Sequence, residues 1–239
     1  MVRKEYLVIV DPGKKRDPTA IMVMRDNLRI LDGSPTAGIQ DRTQHFYEIV
    51  LIEKLLEVRY TEVCDIVSVI CNHTDIKNNH ELLVDGTGVG EAVVDIMREK
   101  YLVPVPIVFT GGNAVNEIYQ PFGKVFGGSG KLQGASVLKE IRVPKDDLVA
   151  AGQVLIQQRR VNIADGLKFA EDFKRQLHAF RGKVNENSVK HEALTEAIHD
   201  DLVVCYLMGA WWFTRQRKTD EQIIPYDKPV QDWNPMDYL

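Results

Sequence analysis

Two aspartates, far apart in the chain, each follow a short apolar run and stand just before a glycine-containing turn. Asp11 follows residues 7–10, which read Leu-Val-Ile-Val, and Asp85 follows residues 82–84, which read Leu-Leu-Val. If the two runs are parallel neighbouring strands, the carboxylates lie about 5 Å apart at the carboxyl edge of the sheet. That edge, at a switch in strand order, is where open α/β sheets bind their ligands.

A second acidic pair precedes an apolar segment near the end of the chain. Asp200 and Asp201 stand directly before "LVVCYLMGAWWF". One Asp suffices to cap a helix that begins there and to complement its positive end, so the second needs another reason. Such a helix, if it crosses the sheet, would add a third and a fourth carboxylate to Asp11 and Asp85. Solvated cap and turn residues are the alternative interpretation of all four.

Four carboxylates at one place would form a site for hard divalent cations. Like charges held together repel, and protons or cations must relieve the repulsion. Oxygen ligands without a Cys or His pair nearby favour Mg²⁺ or Mn²⁺ over zinc. Two such ions about 3.5–4 Å apart stabilise the attacking and leaving oxygens of a phosphodiester. The sequence has no Ser-His-Asp or Cys-His arrangement of recognisable spacing, so the predicted chemistry is metal-dependent hydrolysis.

The composition fits one globular domain with a sizeable core. The chain has 239 residues, of which 44% are hydrophobic and 27% are charged. No apolar run approaches the roughly 18 residues of a membrane span, and the N-terminus has no signal-peptide pattern. Cys64, Cys71 and Cys205 indicate a reducing compartment without a disulfide framework, and with His73 they match no usual zinc spacing. The net charge of −4 is unusual for a protein that holds nucleic acid unaided.

Strands and helices alternate in the first half of the chain. We predict an antiparallel meander of three strands, with a tight turn at Asp26 and Asn27 between the second and the third. Apolar spacing predicts a helix over residues 42–60, and residues 61–80 are expected to be helical in part. A strand, a glycine turn and a helix follow over residues 81–101, and then another apolar strand. The order β-β-β-α-β-α-β predicts a mixed sheet with helices packed on it.

A glycine-rich stretch opens the second half, and residues 111–135 are predicted to form a hairpin or a long loop. Its "GGSGKLQG" lacks the Walker A pattern, because Val125 and Leu132 stand where that motif needs Gly and Ser or Thr. Pro144 opens a predicted helix. A brief strand at residues 161–165, an amphipathic helix over residues 166–180, and the apolar helix from Leu202 follow. Residues 218–239 are predicted to be an extended arm.

Four segments resemble, in sequence and in order, the nuclease domain of tailed-phage large terminases. They are "VIVDPGKKRDPTAIMVM", "LLVDGTGVGEAVVDIM", "IRVPKDDLVAAGQVLIQQRRVNIAD" and "AIHDDLVVCYLMGAWW". The similarity covers most of residues 5–215, and the "HDD" block is its most specific part. It implies an α/β domain over residues 1–217 with a ribonuclease H-like fold: a mixed sheet of five or more strands, an antiparallel opening meander, and helices on both faces. Holliday-junction resolvases and retroviral-type integrases share that fold.

The resemblance also implies an activity and its site. It implies an endonuclease that cuts concatemeric viral DNA in the host cytoplasm during headful packaging. Its implied partners are double-stranded DNA, the terminase ATPase domain, the portal and the small terminase subunit. Two Mg²⁺ or Mn²⁺ ions would be held by Asp11, Asp85, Asp200 and Asp201. His199, Gly13 and Gly86 would stand around these ligands.

Basic residues cluster locally and would contact the phosphate backbone of DNA, which positions a duplex but reads little sequence. The predicted contacts are Lys14, Lys15, Arg16, Lys131, Lys139, Arg142, Lys145, Arg159 and Arg160. Solvated surface charge is the alternative for about half of them. Three other functions remain open on the residues alone: a junction resolvase, a non-catalytic module that docks on portal or capsid, and an actin-like ATPase. The last needs a second homologous domain, for which 239 residues leave no room.

Overall fold

The computed structural model describes residues 4–14, 17–30, 43–122, 136–186 and 201–220. In those ranges the strands are β1 (Tyr6–Asp11), β2 (Thr19–Ile30), β3 (Thr43–Leu55), β4 (His80–Asp85), β5 (Pro104–Thr110), β6 (Asn116–Phe122), β7 (Ser136–Pro144) and β8 (Val161–Ile163). The helices are α1 (Tyr60–Cys71), α2 (Gly90–Glu99), α3 (Lys145–Gln157), α4 (Ala170–Glu186) and α5 (Asp201–Asp220). None of these helices is both long and apolar enough to cross a membrane.

The described strands form one mixed sheet in the order β6-β7-β5-β4-β1-β2-β3-β8. The first three strands are antiparallel neighbours, so the chain opens with an antiparallel meander, but the third strand is not the predicted segment. On the other side of β1 the sheet continues with parallel pairs, β1 with β4, β4 with β5, and β5 with β7. The chain therefore adds strands on both sides of β1: β2 and β3 lie on one side, and β4, β5 and β7 lie on the other. The predicted α/β class with a mixed sheet is confirmed.

Helices cover both faces of the sheet, as predicted. Successive side chains of a strand point to opposite faces. Leu7 and Ile9 of β1 accordingly join the core beneath α3, α4 and α5, while Val8 and Val10 join the core beneath α1 and α2. Because β1 is buried on both sides, it reads as a continuous apolar run rather than as an alternating one.

Helix α5 lies unusually close to the sheet and to α3. A Cβ added at Gly209 would stand 2.4 Å from the Sδ of Met24 and 2.7 Å from the Cδ1 of Ile9. On α3, a Cβ at Gly152 would stand 2.4 Å from the Cδ2 of Leu207. The two glycines let α5 pack closely against the sheet and against α3. This close packing restricts where the first residue of α5, Asp201, can lie above the sheet.

The predicted helix over residues 42–60 is wrong, because residues 43–55 form β3 and the helix begins later, at Tyr60. Tyr47 and Ile49 point to the core beneath α5, and Val50 points to the opposite core at a bulge in the pairing with β2. A bulge puts two adjacent apolar residues where a strand would alternate, and that spacing imitates a helix. Long-range pairing with β2 decides in favour of the strand.

The predicted turn at Asp26 and Asn27 is also wrong. The strand β2 runs through both residues, which pair with Tyr47 and Phe46 of β3. The neighbouring strand supplies a partner for the carboxylate, since the Nδ1 of His45 lies 2.8 Å from the Oδ1 of Asp26. The strand predicted to follow the turn is therefore the second half of β2, as far as Ile30, and residues 31–42 lie outside the described ranges.

Two boundaries in the second half need correction. The segment predicted as a hairpin or a long loop over residues 111–135 contains β6, which pairs antiparallel with the unpredicted next strand β7, while residues 123–135 lie outside the described ranges. Helix α5 continues to Asp220, so residues 218–220 are helical, and residues 221–239 of the predicted arm are not described. The structure confirms the predicted elements that correspond to α1, β4, α2, β5, α3, β8, α4 and α5.

Candidate active site

Asp11 and Asp85 end two neighbouring parallel strands at the same edge of the sheet. The register of β1 with β4 pairs Val10 with Val84, and the aspartates are the next residue of each strand. Asp11 follows Ile9 by two residues and Asp85 follows Leu83 by two, and these apolar residues belong to the core beneath α5. Alternation therefore directs both carboxylates to the face that α5 covers. This juxtaposition is the one that the sequence predicts.

Asp201 approaches the same place from above the sheet. It is the first residue of α5, which crosses β1 and β2 on that face. Its Oδ2 atom is buried, although the residue as a whole keeps intermediate exposure, as do Asp11 and Asp85. Three elements that are distant in the chain thus deliver one carboxylate each to a site that protein largely surrounds but that opens to solvent.

Asp85 and Asp201 lie close enough to Asp11 to affect its protonation. Burial is the largest cause that raises the pKa of Asp11 well above its ordinary value, and repulsion by Asp85 and Asp201 adds to it. The thiol of Cys205, one turn along α5 from Asp201, senses the same charges. Burial again dominates in raising its pKa, followed by Asp11 and Asp201 and then by Asp85. Asp11, Asp85 and Asp201 therefore all act on the space beneath the start of α5.

Asp85 has local compensation for its charge. Burial raises its pKa, while hydrogen bonds from Thr87 and the charge of Lys145 lower it. The backbone N–H of Thr87 donates to the Oδ1 of Asp85 at 2.8 Å, which fixes the carboxylate in the turn after β4. Asp85 is thus held in one orientation, and the charge of Asp11 calls more strongly than that of Asp85 for a proton or a cation.

The donor chemistry fits a hard divalent cation. The converging side chains offer only carboxylate oxygens, which Mg²⁺ and Mn²⁺ prefer, and Mg²⁺ usually takes one or two carboxylates together with water and substrate oxygens. In the described part of the chain, no three His, Cys, Asp or Glu side chains are already arranged around a common metal position. Asp200, the fourth predicted ligand, and the neighbouring His199 lie outside the described residues.

Gly13 closes the turn that follows Asp11. A Cβ at this position would stand 2.2 Å from the carbonyl oxygen of Asp17, so only glycine fits. Its N–H donates to the Oγ1 of Thr19 at 3.1 Å, and its carbonyl accepts from the hydroxyl of Tyr60 at 2.9 Å. The turn is therefore held to β2 and to α1, and this anchors the backbone on which Asp11 stands.

Gly86 and Gly90 allow the backbone after Asp85 to pack tightly, as Gly13 does after Asp11. The N–H of Gly86 donates to the carbonyl of Ile107 at 2.9 Å, and a Cβ there would touch Pro106 at 3.0 Å. A Cβ at Gly90 would stand only 1.7 Å from the carbonyl oxygen of Asp85. The site residues predicted from the sequence do not include Gly90, although it is the third glycine of "DGTGVG". They also do not include Thr87, although an Asp side chain often accepts a hydrogen bond from the backbone N–H two residues further on.

Two of the predicted DNA-contacting residues lie at the site edge. Lys14 is exposed in the turn after Asp11, and Lys145 is the first residue of α3, from where its charge acts on Asp85. Positive charge beside an acidic cluster that could hold a divalent cation suits the approach of a phosphate. Lys15, Arg16 and Lys131 lie outside the described ranges.

Among the remaining predicted contacts, Lys139 and Arg142 have protein partners. The Nζ of Lys139 lies 3.2 Å from Glu117 and also over the ring of Trp212, and Arg142 donates to Glu140 at 3.0 Å. Arg159 is exposed in the turn that follows α3.

Arg160 is only 6% exposed, which leaves its guanidinium no surface to offer DNA. Its Nε donates to the carbonyl of His45 at 2.8 Å and its Nη1 to Gln158 at 3.1 Å, so the guanidinium ties β8 to β3. We therefore leave Arg160 out of the proposed DNA contacts.

The pKa shift of Asp11 predicts a pH dependence of stability. A carboxyl group whose pKa is raised in the folded state stabilises the fold below its unfolded pKa, here 3.8, and loses that contribution as pH rises through the folded value. In EDTA, the free energy of unfolding of the wild type is expected to fall relative to that of Asp11→Asn as pH rises above about 4. Urea unfolding between pH 4 and pH 8 measures this difference. Parallel curves for the two proteins would contradict the shift.

The fold and the site together define a mixed α/β protein with an acidic site at the carboxyl edge of its sheet. Comparison with models of known protein families finds no match to this chain, and no curated protein matches its sequence.

Proposed function

We propose that this chain is a divalent-metal-dependent endodeoxyribonuclease of the ribonuclease H-like type. The observation that carries the proposal is the convergence of Asp11, Asp85 and Asp201 from two strand ends and a helix start. Repulsion among these acids costs stability, and a cluster with a purely structural role has no need to accept that cost. Divalent cations would relieve the repulsion and supply a reason for the arrangement.

The resemblance to terminase nucleases supports the more specific proposal, that this endonuclease is the nuclease domain of a phage packaging terminase. Each of the four similar segments contributes to the site: the first brings Asp11, the second Asp85, the third Lys145 and the fourth Asp201. Segments that resemble one family by chance would not be expected to meet at one edge of a sheet. The antiparallel meander joined to parallel strands is also what the ribonuclease H-like fold implies.

The mechanism assigns distinct tasks to these side chains. Asp11, Asp85 and Asp201 would hold the metal ions, and Asp200 would complete the second ion's ligands. When bound, the ions supply electrostatic stabilisation of the attacking and leaving oxygens in phosphodiester hydrolysis. The N–H of Thr87 keeps the Oδ1 of Asp85 in place for this purpose. No covalent intermediate on the protein is required.

Substrate contact would come from the basic residues at the rim. Lys14 and Lys145 flank the acids and would bind phosphate oxygens on either side of the scissile bond. Contacts of this kind position a duplex without reading its sequence. The net charge of −4 weakens unaided binding to DNA, and the proposed partners, the ATPase domain, the portal and the small terminase subunit, would deliver the substrate.

Metal-dependent cleavage of a supercoiled plasmid tests the proposal. With millimolar Mn²⁺ or Mg²⁺ we expect nicked and then linear plasmid, and with EDTA we expect none, because the acids alone cannot stabilise the leaving oxygen. A four-way junction in the same assay serves as a competing substrate, and strong preference for it would favour the resolvase alternative. A folded protein that neither binds Mn²⁺ at millimolar concentration nor cuts DNA would instead favour the docking module.

A further inference from the structure

Gln176 of α4 is a polar side chain buried beneath the start of α5. Only 9% of its surface is exposed. Its Oε1 accepts a hydrogen bond from the backbone N–H of Leu202 at 3.3 Å. Leu202 itself is fully buried in the core and is the immediate neighbour of Asp201. The amide of Gln176 thus touches the same helical turn that delivers the third carboxylate.

The first N–H groups of a helix have no partner within the helix and need an acceptor from elsewhere. The usual acceptor is a side chain just before the helix, but for Leu202 it comes from another helix. That arrangement fixes the first turn of α5 to α4. A shift of the turn would break this buried hydrogen bond, so the bond resists displacement of Asp201.

The chemical identity of residue 176 also matters. A carboxylate would accept the bond more strongly and would suit the positive end of the helix. It would also add negative charge beside Asp201, whose repulsion already contributes to the raised pKa of Asp11. A glutamine supplies the acceptor oxygen without the charge. This combination is expected where a carboxylate must be held in place without further repulsion.

We propose that Gln176 is a positioning residue of the acidic site: its bond to the N–H of Leu202 sets where Asp201 stands relative to Asp11 and Asp85. The inference rests on the proposed nuclease function. Residues that orient metal ligands typically change metal affinity about 10–100-fold when they are replaced.

The test compares Gln176→Met, which loses the acceptor, with Gln176→Glu, which keeps it. For Gln176→Met we expect the half-saturating Mn²⁺ concentration in plasmid cleavage to rise about 10-fold. For Gln176→Glu we expect wild-type or higher Mn²⁺ affinity, because the acceptor remains. Gln157→Met, the same chemical change at an exposed position of α3, is the matched control and should leave the metal dependence unchanged. Gln176→Asn, whose shorter side chain falls short of Leu202, replaces Gln176→Met if the latter does not fold.

Direct Mn²⁺ titration without DNA separates the two levels of the proposal. A wild type that binds Mn²⁺ but does not cut DNA would overturn the nuclease function, and weaker Mn²⁺ binding by Gln176→Met would still support the positioning role. A wild type that cuts DNA, together with unchanged metal dependence in Gln176→Met, would overturn the positioning role alone. Equal weakening in Gln176→Met and Gln176→Glu would also overturn it, because the acceptor would then not be the cause.

Discussion

Asp11→Asn is expected to lower the rate of metal-dependent DNA cleavage at least about 10³-fold, since a metal ion and its ligands supply several kcal/mol of transition-state stabilisation. Asparagine has the same shape as the protonated acid but cannot provide a charged oxygen ligand. The same substitution removes the repulsion that Asp85 and Asp201 exert on this position. The variant should therefore be at least as stable as the wild type in EDTA while being inactive with Mn²⁺. Plasmid cleavage and urea unfolding measure the two effects.

Asp147→Asn provides the matched control for this experiment. Asp147 lies in the first turn of α3, is exposed, and is not among the charges that shift the pKa of Asp11 or of Asp85. Its replacement should leave both cleavage and metal-free stability near those of the wild type. Residual cleavage by Asp11→Asn at more than about a tenth of the wild-type rate would contradict the proposal that Asp11 is a metal ligand.

The position of the paired aspartates could be predicted because their signals are local. Asp11 and Asp85 each end a strand whose apolar residues are contiguous in the sequence. Parallel pairing of β1 with β4 then brings the two strand ends to one edge without further information. For Asp201, the sequence indicated a helix start, but only the crossing of α5 over β1 and β2 places that start above the pair.

The third strand shows where the sequence misleads. The segment Thr43–Leu55 carries apolar residues at spacings that suit a helix, and its bulge opposite Val23 and Met24 disguises the alternation of a strand. The order β-β-β-α-β-α-β nevertheless matches the observed order of the first seven elements. The orders match because the predicted third strand and the predicted first helix each lie one segment too early in the chain. A matching order of elements is thus weaker evidence for a predicted fold than a matching strand register.

Residues that hold the site through distant contacts could not be predicted. Gln176 lies in an amphipathic helix like many others, and its proposed positioning role depends only on the hydrogen bond that it accepts from Leu202. Likewise, the burial of Arg160 depends on the docking of β8 beside β3. A charged side chain is exposed in most cases, but its tertiary contacts determine whether it is buried in a particular fold.

Gly90→Ala should destabilise the protein and disable the site, although alanine is the better helix former. Within an ordinary helix this substitution would stabilise by up to about 1 kcal/mol. Here the new Cβ would stand 1.7 Å from the carbonyl oxygen and 2.8 Å from the carbonyl carbon of Asp85. These are backbone atoms, so either β4 or α2 must move. We expect the free energy of unfolding to fall by at least about 2 kcal/mol.

We expect the displacement to affect catalysis as well, because it begins at Asp85, a proposed metal ligand. A misplacement of about 1 Å can cost about 10²-fold in rate, and we expect a loss of that order at a temperature where the variant remains folded. Gly111→Ala is the matched control, since a Cβ there would meet nothing within 4 Å. Urea unfolding and plasmid cleavage of both variants give the comparison. A Gly90→Ala protein as stable as Gly111→Ala would mean that the backbone at Asp85 yields freely, and the rigid placement of this carboxylate would then have to be abandoned.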